Sequence, residues 1–164
     1  MRSPSGLSWL WLSLLIIGLD QWSKWLAIGA LNYGQSVPVI EGFWNWTLVH
    51  NYGGAFSLFA QHPGWQKYFF LTVGVIFCLI ILVWLKREPR SHWQVCLPLA
   101  LVVGGALGNM IDRVRFGYVV DFIHWYVDRY SWPVFNIADS AITVAAVWLI
   151  IHEFVRNSSF KSKG

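Results

Sequence analysis

The chain has 164 residues, 56% of them hydrophobic and only 12% charged, with a mean hydropathy of +0.49. A soluble domain carries roughly 25% charged residues, so this composition excludes a water-bathed globule and points to a single membrane-embedded domain over residues 1–164. The net charge of +4 comes from basic residues scattered beside apolar runs, which reads as a topology signal and not as a nucleic-acid surface.

In chain order, the first apolar run covers about residues 7–28, long enough to cross a bilayer. It carries Asp20, Gln21 and Lys24 near its end and lacks the short core and small-residue cleavage site of a signal peptide, so it reads as a retained span. Residues 29–64 are rich in Gly, Asn and aromatics, with a strand-like piece at 43–49, and predict a small β-rich element at the outer surface. Gln61-His62-Pro63-Gly64 reads as a turn before a second span over 68–85.

A third span is predicted over 93–111 and a fourth over 137–155, with a mobile tail at 157–164. The apolar stretch 118–127 is too short to cross and reads as a re-entrant or interfacial piece. Cys78 and Cys96 sit inside apolar runs and read as packing residues, with no disulfide or zinc spacing. The 12 Trp fit belts at the two membrane boundaries. The predicted fold is therefore an all-α membrane protein: four transmembrane helices, with a small β-rich extracytoplasmic element between helices 1 and 2.

Orientation follows from Lys and Arg near the span ends. With four spans, Arg2, Lys86, Arg87, Arg90, Arg156, Lys161 and Lys163 share one side, against Lys24, Lys67, Arg113, Arg115 and Arg129 on the other. The bias is mild, and it places both termini in the cytoplasm.

That connectivity brings the polar residues to one depth. Asp20 and Lys24 end the first span, Asn109, Asp112 and Arg113 end the third, Asp139 starts the fourth, and Asp121 lies in the loop between the last two. Ionisable groups inside a span are costly and mark functional sites. Structural readings stand beside the functional ones. Asp20 and Lys24, four residues apart, suit a helical ion pair as well as a substrate contact. Gly104 and Gly108 suit close helix packing. Asn136 suits an N-cap with Asp139 in the first turn, where a carboxylate complements the helix dipole. Asp121, alone in Val119-Val120-Asp121-Phe122-Ile123, is harder to assign to structure. His152-Glu153 lacks the second histidine of a zinc-protease helix, and there is no Gly-x-Ser-x-Gly elbow or Cys beside a base. Two aspartates in unlike apolar contexts suit a dyad sharing one proton. A proton-coupled carrier using the same carboxylates, and a membrane scaffold, are the competing readings.

Five segments resemble the lipoprotein signal peptidases, or signal peptidase II, in order and spacing. They are Asp20-Gln21-Trp22-Ser23-Lys24, Asn51-Tyr52-Gly53-Gly54-Ala55-Phe56, the run from Gly104 through Gly108, Asn109 and Asp112 to Arg113, Val120-Asp121-Phe122-Ile123, and Phe135-Asn136-Ile137-Ala138-Asp139. The resemblance implies a bacterial inner-membrane aspartic endopeptidase with its site at the periplasmic face. It implies cleavage of diacylglyceryl-modified prolipoproteins just before the lipid-bearing cysteine, with Asp121 and Asp139 catalytic. Asn51, Asn109, Arg113 and Asn136 match polar positions around them, Asp20 and Asp112 match supporting ones, and Lys24, Gly108 and Ala138 fall within the matched segments. It also implies no metal or organic cofactor, contact with membrane lipids, a monomer, and inhibition by the cyclic peptide globomycin.

Overall fold

The computed structural model describes residues 4–53 and 64–161, with side chains through Arg156. The turn expected at Gln61-His62-Pro63, the Gly54-Ala55-Phe56 part of the second segment, and the last residues of the expected tail lie outside the described residues. A short 3-10 turn, Gly6–Trp9, leads into α1 (Leu10–Ala30). Two strands follow, β1 (Ser36–Ile40) and β2 (Trp44–Asn51), then α2 (Trp65–Arg87) and α3 (Trp93–Phe116). Strands β3 (Val119–Val127) and β4 (Tyr130–Ser131) precede α4 (Ile137–Lys161). The last helix thus runs past Asn157, where the sequence suggested a tail.

Three of the helices, α2, α3 and α4, are long and apolar enough to cross a membrane. α1 is close to them in length at 21 residues, but Asp20, Gln21 and Lys24 dilute its second half. Side chains such as Leu14, Leu79, Ile80, Ile150 and Phe154 are exposed around the helices, as expected of a surface bathed in hydrocarbon rather than water.

The stretch 118–127 is a β-strand, not a re-entrant piece. The sheet order is β1-β2-β3-β4, all antiparallel, so the sheet is not confined to the segment between α1 and α2. β3 reads ambiguously in sequence because residues 119–122 are buried on both faces, which removes the alternation that marks a half-buried strand. Its pairing with β2 sets Asp121 opposite Val49 and Val119 opposite Asn51. Ala27 and Leu31 near the end of α1 pack with Leu48, Val120 and Phe122 and tie the sheet to the bundle.

α3 is the central helix, packed by α1, α2 and α4. A second apolar cluster, including Ile81, Leu85, Cys96, Leu99, Val103 and Ala145, fills the other end. Cys78 and Cys96 are free and buried. Glycines on α3 let the neighbours approach. A Cβ at Gly104 would meet Ile16 and Ser13 of α1 at 2.9–3.0 Å, and one at Gly105 would collide with the Ala138 carbonyl oxygen. A Cβ at Gly108 would come within 2.7 Å of Asp20 Oδ2. These contacts hold the first turn of α4 and the stretch of α1 from Ser13 to Asp20 against α3, beside the place where the polar residues meet.

Candidate active site

The polar centre is built outward from Lys24. Its ammonium lies 2.8 Å from Asp20 Oδ2, 2.8 Å from Asp112 Oδ2 and donates to Asn109 Oδ1 at 3.1 Å. All three ammonium donors therefore have acceptors, although the side chain is only 3% exposed. A buried charge is tolerable only when paired and hydrogen-bonded in this way. The Asp20–Lys24 pair is thus part of the internal frame, shared across helices with Asp112.

Each carboxylate also accepts from a backbone donor. Asp20 Oδ1 accepts from the Ala138 N–H at 2.9 Å, and Asp112 Oδ2 accepts from the Val120 N–H at 3.0 Å. The first of these satisfies an otherwise orphaned donor in the first turn of α4, and the second fixes β3 one residue before Asp121. Asn136 caps the same helix: its Oδ1 accepts from the Asp139 N–H at 2.9 Å. Asp139 itself accepts from Asn109 Nδ2 at 2.7 Å.

Asn109 and Asn136 join the two halves of the site. Asn136 Nδ2 donates to Asp121 Oδ1 at 2.7 Å and to Asn109 Oδ1 at 3.1 Å. Asn51 Nδ2 donates to the other Asp121 oxygen at 3.0 Å. Asp121 and Asp139, from a strand and a helix eighteen residues apart, are thus linked through two adjacent amides. Asp121 is 2% exposed, whereas Asp139 is partly open to its surroundings. Burial, reinforced by the negative charge of Asp139, pushes the Asp121 carboxyl up to about 7, against the amide donations of Asn51 and Asn136 and the charge of Lys24.

Arg113 supplies positive charge toward both aspartates. Its guanidinium donates to the Gly53 carbonyl at 2.9 Å and to the Asn109 carbonyl at 3.3 Å, and lies over the Phe70 ring, 4.9 Å from its centroid. It connects α3 to the end of the described β2 segment and to α2.

A family model for signal peptidase (SPase) II matches residues 12–155. The chain belongs to the signal peptidase II family. The enzyme is therefore an aspartic peptidase of the membrane. It is 50% identical over 149 residues to a lipoprotein signal peptidase of Xanthomonas oryzae pv. oryzae, covering 91% of this chain and 90% of that one. It is also 50% identical over 151 residues to a lipoprotein signal peptidase of Acinetobacter baumannii, covering 92% and 85%. A solved bacterial membrane enzyme superposes with a TM-score of 0.85 at 29% identity, covering 97% of this chain and 95% of that one.

In the peptidase, the residues singled out from sequence come together: Asp20, Lys24, Asn51, Gly108, Asn109, Asp112, Arg113, Asn136, Ala138, Asp121 and Asp139 all touch this network or its backbone. Two contributors were not singled out as site residues. Gln21 Nε2 donates to Asp112 Oδ1 at 2.8 Å and to the Gly108 carbonyl at 3.2 Å. A polar side chain beside Asp20 within an apolar run was the available signal. The Gly53 carbonyl that receives Arg113 carries no side-chain signal at all.

Proposed function

We propose that the peptidase removes the signal peptide from diacylglyceryl-modified bacterial prolipoproteins, cutting just before the lipid-bearing cysteine, with Asp121 and Asp139 activating water. The observation that carries this reading is the attachment of Asp121 and Asp139 to one pair of amides, Asn109 and Asn136. Two carboxyl groups with shared partners favour one proton between them. Asp139, the more open of the two, is placed to take a proton from water as the water oxygen attacks the scissile carbonyl carbon. Asp121, protonated, polarises that carbonyl and then supplies the proton that the departing nitrogen takes up as the C–N bond breaks. No covalent enzyme intermediate and no cofactor enter these steps.

The pH dependence has a definite sign. If protonated Asp121 is the acid, the rate falls as pH rises through about 7, where that group loses its proton. The matching acid limb comes from protonation of the pair's remaining carboxylate, so the profile is bell-shaped and its two limbs belong to the pair. A flat profile between pH 6 and pH 9 argues against this assignment.

The lipid anchors account for the site's depth. Acyl chains held in the outer leaflet keep the scissile bond near the membrane surface, so a site at the outer ends of the helices meets it without extracting it. This reading takes all four helices as spans, both termini as cytoplasmic, the working unit as a monomer, and globomycin as a ligand of the same site. Cysteines introduced at Ser91 and Gln35, on a background without Cys78 and Cys96, test the orientation: an impermeant thiol reagent added outside is expected to label position 35 and spare position 91. The reverse pattern would place the site at the wrong leaflet. Function is tested by incubating the purified enzyme with a prolipoprotein with and without its diacylglyceryl group. Shortening of the lipid-modified form alone is expected, and an untouched lipid-modified form overturns the reading.

A further inference from the structure

α2 and α4 flank α3, and between their inner ends lies a cleft of about 730 Å³. Trp84 lines it from α2, Glu88 from the cap that ends α2, Val95 from α3, and Leu149, Ile150 and Glu153 from α4. It lies away from the aspartates and takes no part in the steps above. Glu88 and Glu153 are the acidic residues that the topology assigns to the cytoplasmic side, and both open onto this one cleft.

Each wall of the cleft leads back to the active site along one helix face. Glu153 follows Asp139 by fourteen residues on α4, close to four whole turns and roughly 21 Å of rise. Ala146 and Ile150 fall on the same stripe between them, and both are exposed. On α2, Phe70, which carries the Arg113 guanidinium, and Trp84, whose indole N–H donates to Glu88, are fourteen residues apart, close to four whole turns of one face. An apolar track thus joins the aspartates at one end to two acids at the other.

A secretory signal peptide has the complementary pattern: a positively charged start, then an apolar core of roughly 7–15 residues, then the cut. As a helix that core is roughly 10–22 Å long, which matches the rise from Glu153 to Asp139. We propose that the inner cleft at Glu88 and Glu153 is a subsite for the basic N-terminal residues of the substrate's signal peptide, setting substrate affinity while the outer aspartates do the chemistry. This subsite rests on the prolipoprotein reading given above.

The local chemistry supports a cation there. The Glu88 carboxylate is pinned at the cleft by His92 Nδ1 at 3.0 Å and Trp84 Nε1 at 2.9 Å. Hydrogen bonds from His92 and then Trp84 hold it below the usual carboxylate range, so it is anionic at neutral pH. Glu153 pairs with Arg156 at 2.8 Å, with the two side chains 50% and 65% exposed, a pairing weak enough for an incoming cation to share. His152 and Arg156 also line the cleft, and Lys86 and Arg87 close α2 beside it. Attraction is therefore confined to contact range, which favours a basic residue held in register over a diffuse positive segment.

The test compares two lipid-modified reporters, one with Lys and Arg in the N-terminal region and one with Gln in their place, against the wild-type enzyme and the double variant Glu88→Gln, Glu153→Gln. Steady-state cleavage is expected to show a KM about fivefold higher for the basic reporter in the double variant, as two exposed pairs would give, with kcat nearly unchanged. The neutral reporter should show the same KM with both enzymes. An equal change on both reporters, or no change on the basic one while cleavage proceeds normally, overturns the subsite alone. Failure of the wild-type enzyme to cut either reporter overturns the prolipoprotein reading and the subsite with it.

Discussion

Asp121→Asn and Asp139→Asn are each expected to lower the initial rate of prolipoprotein cleavage by roughly 10³-fold or more, the scale of a lost general acid or base acting within a unit. The substitution is close to isosteric. At position 121 an amide oxygen still accepts from Asn136, and the Asn51 amide can turn to meet the new NH₂ by giving up the bond its Oδ1 accepts from the Gly53 N–H. At position 139 the oxygen still accepts from Asn109. The fold should therefore survive while the shared proton is lost. Because the two groups act together, the double variant should be little worse than either single one. Rates measured at equal amounts of membrane-inserted protein decide the matter, and near-normal turnover in either variant contradicts the dyad.

Lys24→Met is expected to have the largest effect on stability. Lys24 is the cation between Asp20 and Asp112, which are 0% and 1% exposed. Removing it leaves two carboxylates facing each other with no counter-charge, and breaking a buried pair of this kind costs roughly 3–5 kcal/mol. The Asn109 side-chain Oδ1 also loses a donor, which loosens the amide that holds Asp139. The buried thiols of Cys78 and Cys96 give a direct readout: their reactivity on heating in detergent should appear at a lower temperature in the variant. Adding Asp20→Asn to Lys24→Met should restore part of the loss, because one of the stranded charges is gone. An unchanged midpoint in Lys24→Met would show that the triad does not hold the helices together.

Hydrophobic run length located the long helices, and the charged residues near their ends marked the polar cluster that the structure brings together. Asp20, Lys24, Asp112 and Asp139 were legible because a membrane span makes each charge conspicuous. The strand carrying Asp121 was not. Val119-Val120-Asp121-Phe122 is buried on both faces, and a short apolar run of that kind has no period to distinguish strand from re-entrant segment. Its partner β2 lies across two helices in the sequence, so the pairing of Val49 with Asp121 is a tertiary fact. The two readings of Asp139 also proved compatible. Asn136 caps the helix with its side chain, and the Asp139 carboxylate remains available to Asn109. The link from Asp20 to the Ala138 N–H had no sequence signature, because a backbone donor has none.

The most direct measurement is the position of the cut. Purified enzyme is incubated with a diacylglyceryl-modified prolipoprotein, and both products are sequenced by tandem mass spectrometry. The account expects one cleavage, with the lipid-bearing cysteine as the new N-terminus and the intact signal peptide released. A cut at any other bond, or equal cutting of the unmodified precursor, would contradict it.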